Sequence, residues 1–217
     1  MLKIKLFTFN PFQENTYILY DENGAAAIVD PGCYESEEQE VLRSFILSEN
    51  LNPQLLLNTH CHIDHVLGNA WVKRTFDIPL LIHDKDIAVL NSVKAYASNY
   101  GFHKYESTEP DGYLSTDQDI QIGDEKLEVR FVPGHAPGHV VFYHKESGVC
   151  IAGDTLFRTS IGRTDLPGGD HALLLEKIKS ELFSLPDDTI IYPGHGPVTS
   201  IGFEKNNNPF VGKNAKF

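Results

Sequence analysis

Thr59-His60-Cys61-His62-Ile63-Asp64-His65 is the stretch on which the reading of this 217-residue chain turns. It follows the apolar run Leu55-Leu56-Leu57, so it begins where a buried strand ends. Imidazoles and a carboxylate packed this closely repel one another on protonation and are costly to bury unless a cation binds them. His60 and His62 face the same side of an extended segment and can share one ion. Cys61, between them, points the other way and reads as a packing residue. Asp64 and His65 come after the chain turns into a helix, so they point elsewhere and suggest a second ion close to the first.

Two further stretches repeat one pattern. Pro133-Gly134-His135 and Pro193-Gly194-His195 each follow an apolar strand, and in both Pro ends the strand while Gly permits a tight turn. Together with His60, they deliver a histidine at the C-terminal ends of three strands, where open sheets usually carry their sites. Asp154, ending the strand Val149–Ala152, has two carboxylate oxygens and can bridge ions roughly 3.5 to 4 Å apart. The expectation is a binuclear centre with His60, His62 and His135 on one ion, Asp64, His65 and His195 on the other, and Asp154 between them. Open positions for water mark such a centre as catalytic rather than structural. His139 either orients a ligand from behind or packs within its strand. His83, His103, His144 and His171 have no such company.

Around these motifs, strands are expected at Lys3–Phe9, Thr16–Tyr20, Ala25–Val29, Leu55–Asn58 and Ile78–Ile82. The second half adds Ile120–Ile122, Lys126–Val132, Val140–His144, Val149–Ala152 and Thr189–Tyr192. Asp21-Glu22-Asn23-Gly24 signals a hairpin turn. Helices are expected over Glu35–Ser48, Asp64–Phe76 and His171–Phe183, the last with Asp170 as N-cap. Residues from Val93 to Ser115, polar with interspersed Tyr96, Tyr100, Phe102 and Tyr105, read either as a helix and loop over the site or as a surface excursion. A polar tail runs to Phe217. No linker or composition break divides the chain, so one domain over 1–217 is expected.

Composition narrows the function classes. A formal net charge of -12 disfavours a nucleic-acid backbone as partner, which needs clustered Lys and Arg. No apolar run is long enough to span a bilayer, so no membrane partner is expected. The three cysteines, Cys33, Cys61 and Cys150, are odd in number and scattered, which is no disulfide framework. The first residues alternate like a strand and lack a secretory apolar core, so the default expectation is cytoplasmic. The sequence leaves the oligomeric state open.

The spaced set His60-x-His62-x-Asp64-His65, His135, Asp154 and His195 resembles the metallo-β-lactamase superfamily over nearly the whole chain. That resemblance implies an α/β four-layer αββα sandwich with metal at one edge of the paired sheets. Gly153-Asp154-Thr155-Leu156-Phe157 followed by Ile161-Gly162-Arg163 is similar to the glyoxalase II branch. Gln13-Glu14-Asn15-Thr16-Tyr17 and Asn208-Pro209-Phe210 fit its short bacterial subgroup. The implied cofactors are two divalent ions, zinc foremost with iron or manganese possible in the family. The implied reaction is hydrolysis of a glutathione thioester such as S-lactoylglutathione, with Asp64 catalytic and Arg163 on a substrate carboxylate. The chain departs from the long glyoxalase II enzymes: it stops soon after His195, and has Gly196-Pro197 where they offer a tyrosine. Gly162-Arg163-Thr164-Asp165 also resembles the persulfide dioxygenases, which hold a single iron through positions matching His60, His135 and Asp154. A non-enzymatic metal-stabilised scaffold is the remaining alternative.

Overall fold

The computed structural model of the protein describes residues 1–215; the expected end of the tail at Phe217, and of the 1–217 domain, lies outside the described residues. A first sheet contains β1 (Lys3–Phe9), β2 (Glu14–Tyr20), β3 (Ala25–Val29), β4 (Asn52–Leu57), β5 (Leu80–Ile82) and β6 (Gly112–Tyr113), adjacent in chain order. Its first three strands are antiparallel and the rest run parallel to β3. A second sheet is built from β7 (Ile120–Ile122), β8 (Glu125–Phe131), β9 (Val140–His144) and β10 (Val149–Gly153). After the small hairpin of β11 (Leu156–Phe157) and β12 (Ser160–Ile161), β13 (Ile190–Pro193) and β14 (Thr199–Ser200) complete it in the order β14-β13-β10-β9-β8-β7.

The central strands are apolar at successive positions because both of their faces are covered. Leu19, Val29 and Leu57 of the first sheet meet Val129, Phe142 and Ile151 of the second in a core between the sheets. The neighbouring residues Ile18, Ile28 and Leu56 point outward. They are covered by α1 (Ser36–Ser48), α2 (Ile63–Val66), α3 (Asn69–Phe76) and α4 (Ile87–Tyr96) through Leu42, Ile46, Val66, Val72 and Leu90. On the far side, Val141, Cys150 and Ile191 lie under α5 (His171–Lys177) and α6 (Ile201–Asn207), which contribute Leu174 and Ile201. The layers are therefore helix, sheet, sheet, helix: the expected αββα sandwich. Among the described residues no helix is long and apolar enough to cross a membrane.

Several element boundaries differ from those expected. The helix over Asp64–Phe76 is broken, because Asn10 Nδ2 donates to the Asp64 carbonyl and the Gly68 amide donates instead to Pro31 O at 2.7 Å. The segment beyond Val93 belongs to a helix that begins at Ile87, continues as a 3₁₀ turn over Ala97–Tyr100 and ends at Gly101. The helix after Asp170 gives way at Lys177 to a π-type turn over Ile178–Leu182; Asp170 does cap it, accepting from the Leu173 amide at 3.0 Å. The supposed polar tail contains β14 and α6. Part of its polarity is internal: buried Glu204 accepts from Thr199, from the Thr159 amide at 3.0 Å and from Asn208 Nδ2 at 2.8 Å.

Candidate metal centre

One end of the sandwich collects the strand termini that matter. Asp30 ends β3, the histidine cluster follows β4, His135 follows β8, Asp154 follows β10 and His195 follows β13. The two sheets are tied at this end by the Val140 amide on Thr59 O at 2.8 Å and by the Asn15 amide on Gly194 O at 2.7 Å. The Gln13–Tyr17 motif thereby gains a physical account. Asn15 Nδ2 donates to Pro193 O at 3.0 Å and Gly196 O at 2.9 Å, and Tyr17 Oη donates to Pro193 O at 2.6 Å. These contacts hold the turn that presents His195. Asn208 does likewise for β12, donating to Ser160 O at 3.0 Å.

The donor atoms of His60, His62 and His135 lie within 4.8 Å of one another, and so do those of Asp64, His65 and His195. In the first group, His135 Nε2 is 2.8 Å from His62 Nδ1 and 3.2 Å from His60 Nε2. In the second, Asp64 Oδ2 is 3.1 Å from His195 Nε2 and 3.8 Å from His65 Nε2. Asp154 touches both: Oδ1 is 3.4 Å from His65 Nε2, and Oδ2 is 3.6 Å from His135 Nε2 and from His195 Nε2. The seven residues expected as metal ligands thus lie together at this end. A further buried trio, Asp30, His60 and His65, includes a carboxylate that was not among the expected ligands.

The outer nitrogens fix which way the inner lone pairs face. His135 Nδ1 donates to Arg163 O at 2.7 Å, and His195 Nδ1 faces Phe12 O at 3.1 Å and Gln13 O at 3.2 Å. A carbonyl can only accept, so the proton sits on Nδ1 and the Nε2 lone pair is turned into the site. His139 accepts the Asp154 amide at Nε2, 3.0 Å away, and stacks on the His60 ring at 4.7 Å. It therefore supports two site residues from behind. Backbone approach is equally close. A Cβ on Gly153, at φ +47°, would strike Thr59 Oγ1, and one on Gly194 would strike Asp154 Oδ1.

Electrostatics fit a cation. Burial drives His60 well below the ordinary imidazole value, with the neighbouring histidines adding to it, and burial beside His135 takes His62 down to about 3. Both are neutral and able to ligate at pH 7. Burial would raise Asp64 and Asp154, but His65 and His195 overcome it and hold both carboxyls low. Burial would likewise lower His65, yet Asp154 and Asp64 push it well up. A positive charge is called for between these groups. Nε2 of His65 and Oδ1 of Asp154 are buried without a hydrogen-bond partner, as expected of atoms shaped for metal coordination. The donor set of imidazoles and carboxylates fits a divalent ion.

Sequence reasoning missed three supporting carboxylates. Asp30 accepts from the Thr59 amide at 2.7 Å and Thr59 Oγ1 at 2.6 Å, and its Oδ2 lies 3.2 Å from His65 Nδ1. Glu14, wholly buried and with its pKa raised by that burial, lies 4.0 Å from the same nitrogen. Asp86 accepts from the Cys61 amide at 2.7 Å and the Gly138 amide at 2.6 Å, joining the two ligand-bearing loops. Only Asp30 offered a signal, its place at a strand end like the histidines. Cys61 itself is fully buried in the outer core. Arg163 lines the cavity over the site, but its guanidinium is already engaged by Asp165, at 2.7 Å for both Nε and Nη2.

Comparison with known proteins agrees with this geometry. Residues 9–195 match the Metallo-beta-lactamase superfamily. The chain belongs to the metallo-beta-lactamase superfamily. Its members are metallo-hydrolases that use divalent metals. The chain is 36% identical over 212 residues to hydroxyacylglutathione hydrolase GloC of Haemophilus influenzae, covering 97% of this chain and 98% of that protein. Among solved structures it resembles the BLEG-1 B3 metallo-beta-lactamase, at TM-score 0.86 and 37% identity over 96% of this chain and 99% of that one. It also resembles TTHA1623 in a di-iron-bound form, at TM-score 0.85 and 35% identity over 95% of this chain and 100% of that one.

Proposed function

We propose that this superfamily member hydrolyses a glutathione thioester of the S-lactoylglutathione kind at a centre of two divalent ions, zinc foremost. His60, His62 and His135 would hold one ion, Asp64, His65 and His195 the other, and Asp154 would bridge. The observation that carries the reading is the position of Asp154, within 3.4 to 3.6 Å of ring nitrogens from both trios. Bound there, the ions supply a water of lowered pKa and a Lewis acid for the carbonyl oxygen.

The chain's own part is positioning. Asp64 lines the cavity with one oxygen against His195, and we assign it the orientation of the attacking water. No cysteine competes as nucleophile: Cys33, Cys61 and Cys150 are buried, and burial raises all three thiols. A thiolate with a conjugate-acid pKa near 8.5 leaves with little protonation, so no general acid is needed on that side. Support for glutathione as the thiol comes from the likeness to GloC and from Arg163 at the cavity rim.

The test is steady-state hydrolysis of S-lactoylglutathione by protein reconstituted with zinc, iron or manganese, with metal content measured alongside. We expect about two ions per chain and a kcat/KM of roughly 10⁴ M⁻¹s⁻¹ or above. Asp64→Ala should abolish turnover while leaving the protein folded. Hydrolysis of a β-lactam in preference to the thioester would overturn the reading. So would a single bound iron with oxygen uptake on a persulfide.

A further inference from the structure

The cavity over the metal centre measures about 1020 Å³, at the upper end of the roughly 300–1,000 Å³ typical of small-molecule sites. Its polar groups are concentrated at the floor. One wall comes from α4 and the turn after it. Leu90, Val93 and Ala97 turn into the core, which leaves Ala88, Val89, Ser92, Tyr96 and Tyr100, at helical spacing, facing the cavity. Phe12 closes the end of this wall, its ring 5.8 Å from Tyr100 and 6.0 Å from Phe102. Phe12 remains 40% exposed and Tyr100 57% exposed, so an aromatic pair stands open to water beside the site. Ile161, Leu166, Pro167 and Arg163 also line the cavity, and Arg163 is the one Lys or Arg among the described residues that do so.

A thiol bearing carboxylates belongs with that single cation. The α4 wall, which presents no Lys or Arg to the cavity, is left for the other half of the thioester. We propose that this wall binds the acyl group, and that the acyl group the site takes best is apolar and longer than lactoyl. The wall offers methyl, isopropyl and aromatic surface with Ser92 and Asn99 as its only side-chain hydrogen-bonding groups apart from the tyrosine hydroxyls. A short hydroxylated acyl group would leave most of that surface wet, whereas an alkyl chain would displace the water from it. This inference rests on the thioester reading and names the substrate class within it.

The experiment keeps the thiol constant and varies the acyl group. Metal-reconstituted protein is assayed on acetyl-, lactoyl-, butyryl- and hexanoyl-glutathione. Binding of S-methylglutathione and S-hexylglutathione, which cannot be hydrolysed, is measured by calorimetry. We expect kcat/KM to rise along the alkyl series, with hexanoyl at least about tenfold above lactoyl. S-hexylglutathione should bind at least about tenfold tighter than the methyl compound. Ala88→Glu puts a charge on the wall at an exposed position in the first turn of α4, where an acidic residue suits the helix. It should erase the hexanoyl preference. Equal turnover along the series, or an unchanged preference in Ala88→Glu, overturns the inference and leaves thioester hydrolysis standing. Tight hexyl binding without turnover of any thioester overturns the hydrolase reading and supports the apolar wall.

Discussion

Arg163 reaches the cavity with its guanidinium paired to Asp165, and the pairing holds the Asp165 carboxyl down at about 2. A substrate carboxylate has to compete with that partner. An exposed pair of this kind is weak, so removing it should lower the KM for S-lactoylglutathione in Asp165→Asn by only roughly two- to fivefold, with kcat unchanged. A KM that rises or stays put would show that Arg163 does not anchor the thiol. Asp86 works on a different scale of energy because it is buried. Replacing it by Ala strands the amides of Cys61 and Gly138, at about 1–3 kcal/mol for each unsatisfied group. Denaturant titration should show that loss, with a smaller one in Asp86→Asn, which keeps an acceptor oxygen. Metal affinity should fall about 10- to 100-fold in Asp86→Ala, since Asp86 joins the loops that carry His60, His62 and His135. The sequence could not announce Asp86: a lone aspartate before a helix looks the same whether it faces water or a neighbouring loop.

At the level of elements, β2 positions the turn after β13. Asn15→Ala removes two hydrogen bonds, to Pro193 O and Gly196 O, although Tyr17 Oη still donates to Pro193 O. The site on that side is Asp64, His65 and His195, so the second ion should be lost first. Metal analysis of Asn15→Ala should give closer to one ion per chain than two, with stability lower by about 1 kcal/mol per hydrogen bond. Full occupancy of both ions would show that the Pro193–Gly196 turn holds its shape without β2. Most strands were legible in the sequence because burial on both faces writes continuous apolar runs, as in Ala25–Val29 and Val140–His144. That the candidate ligands gather at one end was legible because three strands lead into a histidine and one into Asp154. What could not be read was anything set by distant partners. The break at Gly68 depends on Asn10 and Pro31, and α6 depends on Glu204 finding Thr159 and Asn208. Neither leaves a local periodicity.

For the molecule as a whole, the metal site and the hydrophobic cores are separate sources of stability. Three apolar clusters, one between the sheets and one under each helical layer, run through the sandwich. Among the described residues, the candidate metal groups sit at one end, where the two sheets are joined by a few hydrogen bonds. Removing metal therefore leaves the cores intact but leaves His65 and Asp154 with buried, unpartnered atoms. Chelation should preserve the far-ultraviolet circular dichroism spectrum and lower Tm. Free metal at a thousand times Kd stabilises the folded state by about 4 kcal/mol, and for a chain of this size each kcal/mol moves Tm by about 2–4 °C. The expected fall is thus roughly 8–16 °C, reversed when zinc is restored. A structural metal behaves differently, because without it the domain does not fold at all. Loss of the native spectrum on chelation at 25 °C would favour a metal-stabilised scaffold over a hydrolase whose metal serves chemistry.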